Sequence, residues 1–130
     1  MHVILITGVA GLLGSRLAAW ICDNTEHKVI GVDDLSGGYH ENVPDDVVFY
    51  ELDLVNLHDL HGVFKNESPT ILYHFAAYAA EGLSPFIRKF NYENNLIASA
   101  NLITMSIEYS VQRFVFASSM SVYVNMHPPP

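Results

Sequence analysis

Thr7-Gly8-Val9-Ala10-Gly11-Leu12-Leu13-Gly14 sets three glycines at a three-residue spacing. Ahead of them, Val3 to Ile6 is a run of β-branched residues and leucine, the pattern of a strand buried on both faces. Behind them, Leu13, Leu17, Trp20 and Ile21 recur at i, i+4, i+7 and i+8, one face of a helix. In a strand–turn–helix each glycine has a task that a side chain would spoil. Gly8 permits the tight turn, Gly11 lets a pyrophosphate reach the backbone, and Gly14 lets the helix pack close to the strand. The helix start then offers free N–H groups and a positive dipole end to phosphate.

Downstream of this turn, short apolar runs alternate with helical patterns. Lys28 to Val32 reads as a second strand ending at Asp33-Asp34, followed by the loop signal Ser36-Gly37-Gly38. Val47 to Leu52 is a third strand, and Leu57, Leu60 and Phe64 return to helical spacing. Thr70 to Phe75 is a fourth strand, with a loop from Gly82 to Pro85. Leu96, Ala100, Ile103 and Ile107 mark a long helix, and Arg113 to Ala117 is a fifth strand running into Ser118-Ser119. The alternation predicts an α/β fold, a doubly wound parallel (Rossmann-like) sheet whose N-terminal portion has about five parallel strands. Ligands of such a sheet sit at the carboxyl ends of the strands.

Composition narrows the function classes. Six Lys and Arg against fourteen Asp and Glu give a net charge of −8 over 130 residues, which argues against nucleic acid or anionic lipid as partner. Half the residues are apolar and 15% are charged. Against the roughly 25% charged of an ordinary domain, this predicts a well-buried core and some apolar surface left to cover. The lone Cys22 excludes an internal disulfide and reads as a core filler. No leader peptide or membrane-length apolar run is evident, so a cytoplasmic protein is expected. The one biased segment is Pro128-Pro129-Pro130, which divides the chain into a domain over residues 1–124 and a Pro-rich tail, or the start of a missing segment, over 125–130.

Asp33 lies 19 residues past Gly14, close to the spacing of about 20 at which an acid accepts hydrogen bonds from a ribose. No Lys or Arg occurs between Lys28 and Lys65 to neutralise a 2′-phosphate, so NAD rather than NADP is the expected cofactor. A solvated turn pair is the alternative for Asp33 and Asp34. Asp53, after the third strand, faces an adenine edge or caps the next helix. His58 and His61 stand at i, i+3, but with no third ligand in view a solvated face is favoured over a metal site. His74, ending a strand, reads as a core histidine rather than a base.

Together, Thr7-Gly8-x-x-Gly11-x-x-Gly14, Asp33-Asp34-Leu35, Asp53-Leu54, His74-Phe75-Ala76-Ala77, Asn94-Asn95 and Phe116-Ala117-Ser118-Ser119-Met120-Ser121-Val122-Tyr123 resemble the extended short-chain dehydrogenase/reductase family. Within it the chain most resembles the NAD-dependent epimerases and dehydratases acting on sugar nucleotides, UDP-glucose 4-epimerase above all. The resemblance runs from Met1 to about Tyr123. It implies dinucleotide contacts from Leu12 and Leu13 behind the glycines, and from Asp33, Asp34, Leu35, Ser36, Gly37 and Gly38 around the ribose. It implies further contacts from Asp53 and Leu54 at the adenine, from Phe75, Ala76, Ala77, Tyr78 and Ala79 after the fourth strand, and from Asn94 on the long helix. Ser119 matches the catalytic serine. No metal is implied. The chain departs from UDP-glucose 4-epimerases at Ala79, where they carry lysine, and at Val124, where they carry glycine.

The resemblance implies that a tyrosine of a Tyr-x-x-x-Lys pair removes a proton from a sugar hydroxyl, Ser119 relays it, and hydride passes to and from NAD. That pair lies further along than the eleven residues that follow Ser119. Tyr123 does not replace it, because His127 stands where the lysine belongs. These 130 residues alone are therefore expected to be inactive: the NAD-binding part of an enzyme on a UDP-sugar-like substrate, homodimeric when complete. The alternatives are a standalone, non-catalytic NAD-binding module, or the corresponding part of a dehydratase, decarboxylase or reductase.

Overall fold

The computed structural model of the chain describes residues 1–79 and 82–123. The Pro-rich tail, Val124 and the proposed boundary at 124 lie outside the described residues. Five strands, β1 (Val3–Thr7), β2 (Lys28–Asp33), β3 (Val48–Glu51), β4 (Ile71–His74) and β5 (Arg113–Phe116), form one parallel sheet in the order β3-β2-β1-β4-β5. The helices are α1 (Leu12–Asn24), α2 (Leu57–Glu67), α3 (Arg88–Asn91) and α4 (Ala98–Glu108), with a π-helical turn at Tyr92–Ile97 joining α3 to α4. The strand order reverses between β1 and β4, and at that point a crevice opens at the carboxyl ends of the strands.

β1 runs through the centre, and its side chains alternate between two cores. Leu5 joins Ile30, Leu60, Phe64, Leu72 and Leu102 on the face covered by α2 and α4. Ile4 and Ile6 join Val9, Ala18, Ile21 and Val29 on the face covered by α1. Gly31 has no side chain because one would stand 2.7 Å from Val9 Cγ1 and 2.9 Å from Val47 Cγ1.

Two expected helix faces turn out rotated. In α1 the buried residues are Gly14, Ala18 and Ile21, while Leu13 and Trp20 are exposed. In α4 they are Ala98, Leu102, Met105 and Ser106, while Ile103 and Ile107, with Leu96 of the π-helical turn before it, point outward. Small residues lead each buried face because a helix axis can approach the sheet closely only where side chains are short. Leu96, Ile103 and Ile107 contribute to the uncovered apolar surface that the composition anticipates. Cys22 is half-buried against the α1 core.

The turn after β3 decides between the readings of Asp53. Asn56, not Asp53, caps α2, its side chain accepting from the Asp59 N–H. Asp53 instead closes its own turn, Oδ1 accepting from the Val55 N–H at 2.9 Å. Asn101 of α4 donates to the Leu54 carbonyl at 2.9 Å, tying this turn to the helix beside it. Among the described residues no helix is long and apolar enough to cross a membrane.

Candidate functional site

At the carboxyl ends of β1, β2 and β4 the chain leaves a cleft with about 750 Å³ of space, part of it open to solvent. Its floor is the glycine turn. Gly8 has φ +72°, a conformation that side chains disfavour, and a Cβ there would lie 2.7 Å from Ala76 N. Gly14 is equally constrained, since its Cβ would meet Gly8 O at 2.2 Å. Gly11 is different. Its φ of −85° suits any residue, and a Cβ would touch only Gly8 O, at 3.3 Å. The fold therefore has little need of a glycine at 11, but the cleft it lines does.

Gly11 is also the N-cap of α1 and brings no side chain to the first-turn N–H groups, which have no acidic neighbour in that turn. An uncapped N-terminus with a positive dipole end, opening onto a cleft, is a fit for a phosphate group.

Asp33 joins β2 to this turn. Its Oδ2 accepts from the Ala10 N–H at 3.0 Å, and its Oδ1 accepts from the Leu35 N–H at 2.9 Å, holding Leu35 at φ 58°. Each oxygen keeps a second lone pair for a ligand hydroxyl. Gly38 closes the loop over the turn, where a Cβ would stand 2.7 Å from the Ala10 carbonyl carbon. The Ala10 carbonyl itself accepts from Asn42 Nδ2 at 2.9 Å and from the Tyr39 N–H at 3.3 Å. Among the described residues the cleft lining carries Asp33, Asp34 and Asp53 and no lysine or arginine. A ligand with a phosphate at that end would meet repulsion there.

Of the residues singled out in the sequence, Gly8, Gly11, Asp33, Asp34, Ser36, Gly37 and Gly38 line the cleft. Asp53 and Leu54 after β3, Phe75, Ala76, Ala77 and Tyr78 after β4, and Asn94 line it as well. Leu12, Leu13, Gly14, Leu35, Ala79 and Ser119 are outside the lining. Leu12 and Leu13 expose their side chains in the first turn of α1, Gly14 packs under the glycine turn, and Leu35 and Ala79 adjoin lining residues. Ser119 stands exposed three residues beyond β5. Val32, Leu52 and Ala98 also line the cleft and were missed. The first two immediately precede Asp33 and Asp53, and Ala98 lies one turn beyond Asn94, so their positions were readable from residues already chosen.

His74, at the end of β4, is 2% exposed and hydrogen-bonds through both ring nitrogens, to Thr7 Oγ1 at 2.7 Å and Ser99 Oγ at 2.8 Å. Burial alone pushes its pKa down to about 4. Between that value and the ordinary 6.5, the unfolded chain binds a proton that the folded one refuses. The contribution to stability is thus complete above about pH 6.5 and is lost as pH falls toward 4, amounting to roughly 3 kcal/mol. Urea unfolding of the wild type and His74→Gln from pH 7 to pH 4 should show the wild type losing stability more steeply by that amount. Parallel profiles would contradict it.

His58 is exposed, and His61 contacts Glu108 and the Tyr109 hydroxyl. No cluster of three or more metal-ligating residues occurs among the described residues.

The sequence model of the NAD dependent epimerase/dehydratase family matches residues 4–130. The chain belongs to that family. Protein CapI of Staphylococcus aureus is 33% identical over 129 residues, which cover 92% of this chain and 38% of CapI. Among solved structures, UDP-glucose 4-epimerase of Thermotoga maritima with UDP-glucose superposes with a TM-score of 0.87 at 33% identity, over 90% of this chain and 38% of that one. UDP-glucose 4-epimerase of Thermus thermophilus in complex with NAD superposes with a TM-score of 0.84 at 32% identity, over 90% and 37%. The chain thus spans less than two fifths of the length of these relatives.

Proposed function

We propose that the cleft holds NAD and that the chain is the cofactor-binding part of an epimerase or related enzyme acting on a sugar nucleotide. The observation that carries this reading is Gly11: a glycine that packing does not require, at the open start of α1, on the floor of a cleft ended by Asp33. Gly11, Leu12 and Leu13 offer backbone to the pyrophosphate, and Asp33 takes the ribose hydroxyls, with Asp34, Leu35, Ser36, Gly37 and Gly38 around it. Asp53 and Leu54 border the adenine. Phe75, Ala76, Ala77, Tyr78 and Asn94 line the remainder, with Ala79 next to them in the chain. NAD bound there supplies a hydride acceptor and donor for a sugar carbon. Ser119 hydrogen-bonds the reacting sugar hydroxyl and helps pass its proton. A UDP-sugar is the proposed substrate, by likeness to the T. maritima enzyme seen with UDP-glucose.

The outward apolar residues Leu96, Ile103 and Ile107 support a homodimer in the complete enzyme, and a single half-buried cysteine suits a cytoplasmic setting. The general base is assigned to a Tyr-x-x-x-Lys pair outside these 130 residues. A paired experiment tests the proposal. Adding the chain to NADH should enhance its fluorescence, whereas incubation with NAD and UDP-glucose should form no UDP-galactose. An unchanged NADH signal would defeat the cofactor reading, and measurable turnover would defeat the assignment of the base.

A further inference from the structure

The hydrogen bonds around His74 determine which ring nitrogen carries its proton. Ser99 Oγ donates to the Asn95 carbonyl at 2.6 Å. A hydroxyl has one proton, so Ser99 can only accept from His74, and Nε2 is the protonated nitrogen. Nδ1 then accepts the Thr7 hydroxyl proton, which leaves the Thr7 oxygen to accept the Ala76 N–H at 3.3 Å.

All these donors point one way: Ala76 N–H to Thr7, Thr7 to His74, His74 to Ser99, Ser99 to Asn95. Aligned hydrogen bonds in a buried setting strengthen one another. The line returns to the cleft at its far end. The Asn95 side chain accepts from the Tyr78 N–H at 2.7 Å and donates to the Tyr78 carbonyl at 3.0 Å. The wall from Ala76 to Tyr78 is therefore held at Ala76 by the line through His74 and at Tyr78 by the side chain of Asn95, the residue on whose backbone carbonyl that line ends. Among the described residues no charged group bears on His74. It is faced by Thr7 from β1, the Phe114 and Phe116 rings from β5, and Ser99 with the Asn95 carbonyl from the adjoining helix.

The geometry points to His74 as a positioning residue for the cofactor cleft: in its neutral, Nε2-protonated form it sets the direction of the Thr7–Ser99–Asn95 line and so the shape of the Ala76–Tyr78 wall. This rests on the reading of the cleft as an NAD site. An apolar residue of similar bulk would fill the same core but leave the Thr7 and Ser99 hydroxyls without their shared partner.

Three variants of the full chain test it. His74→Leu removes both links. His74→Asn places an amide oxygen near the Nδ1 position and keeps the Thr7 link, and His74→Gln extends an amide N–H toward Ser99. The Leu variant should exchange its Ala76 amide at least tenfold faster and bind NAD at least tenfold more weakly by calorimetry. His74→Asn should restore the Ala76 protection and most of the affinity, and His74→Gln less of both. Leu60→Ala, which opens the core beneath α2, should lower the unfolding midpoint yet leave NAD affinity unchanged at temperatures well below it. Should His74→Leu fail to fold, the Asn and Gln variants decide: a clear advantage of Asn supports the inference, and equal values overturn it. Affinity and Ala76 exchange in His74→Leu within twofold of wild type would also overturn it. Amide exchange needs no ligand, so a wild-type chain that fails to bind NAD removes the cofactor reading while the Ala76 rates still judge the role of His74.

Discussion

Replacing Gly11 with valine is expected to abolish NAD binding while leaving the fold standing. The backbone at Gly11 is extended, with φ −85° and ψ 177°, which valine adopts without strain. Its Cβ would meet one atom, Gly8 O at 3.3 Å, so a shift of a few tenths of an ångström accommodates it. Valine is a poorer N-cap than glycine, and the stability loss should be about 1 kcal/mol. The isopropyl group, however, projects over the uncapped start of α1, where the phosphates are proposed to lie. Displacing them by even one bond length forfeits several charge-assisted hydrogen bonds, and a loss of at least about 100-fold, or roughly 3 kcal/mol, follows. Calorimetric titration with NAD, beside urea unfolding of the same sample, separates the two effects. A Gly11→Val protein that binds NAD as wild type does would overturn the assignment of the glycine turn to the pyrophosphate.

Gly14→Ala should do the reverse and damage the fold itself. Its Cβ would stand 2.2 Å from Gly8 O and 2.7 Å from Val9 Cα, both backbone atoms of the turn beneath α1. No side chain can rotate away to relieve this contact. Either the helix lifts from the sheet, opening the core of Ile4, Ile6, Val9, Ala18 and Ile21, or the turn deforms at Gly8, where φ is already +72°. Both routes are costly, and a loss on the order of 3 kcal/mol or more is expected from one added methyl group. Circular dichroism and urea unfolding would register it as a low midpoint or an unfolded chain. A Gly14→Ala protein as stable as wild type would show that α1 does not pack as closely as described. Two glycines three residues apart thus separate a ligand constraint from a packing constraint.

The strands were legible because parallel, doubly covered strands are continuous apolar runs, and β1, β2 and β4 match that pattern within a residue or two at either end. The glycine turn and Asp33 were legible because their spacing follows from local geometry. The buried faces of α1 and α4 were not. Periodicity finds the large apolar residues, and here Leu13, Trp20, Ile103 and Ile107 lie on the surface while Gly14, Ala18 and Ala98 meet the sheet. Asp53 could equally have been a cap or a cleft residue from the sequence alone, and only the positions of Val55 and Asn56 decide between them. The Thr7–His74–Ser99 line was hidden for a different reason. Its two links span 67 and 25 residues of sequence across three elements, and each residue taken singly is an ordinary strand-end or helix residue.

In the proposed site, Asp33 and a described lining free of lysine and arginine favour NAD over NADP. Calorimetric titration of the wild-type chain with each dinucleotide, at one pH and ionic strength, compares the two. Saturable binding of NAD is expected, with at least tenfold weaker binding of NADP, whose 2′-phosphate would meet the Asp33 carboxylate with no lysine or arginine in the described lining to offset it. NADP bound as tightly as NAD or more so, or no heat of binding with either, would contradict it.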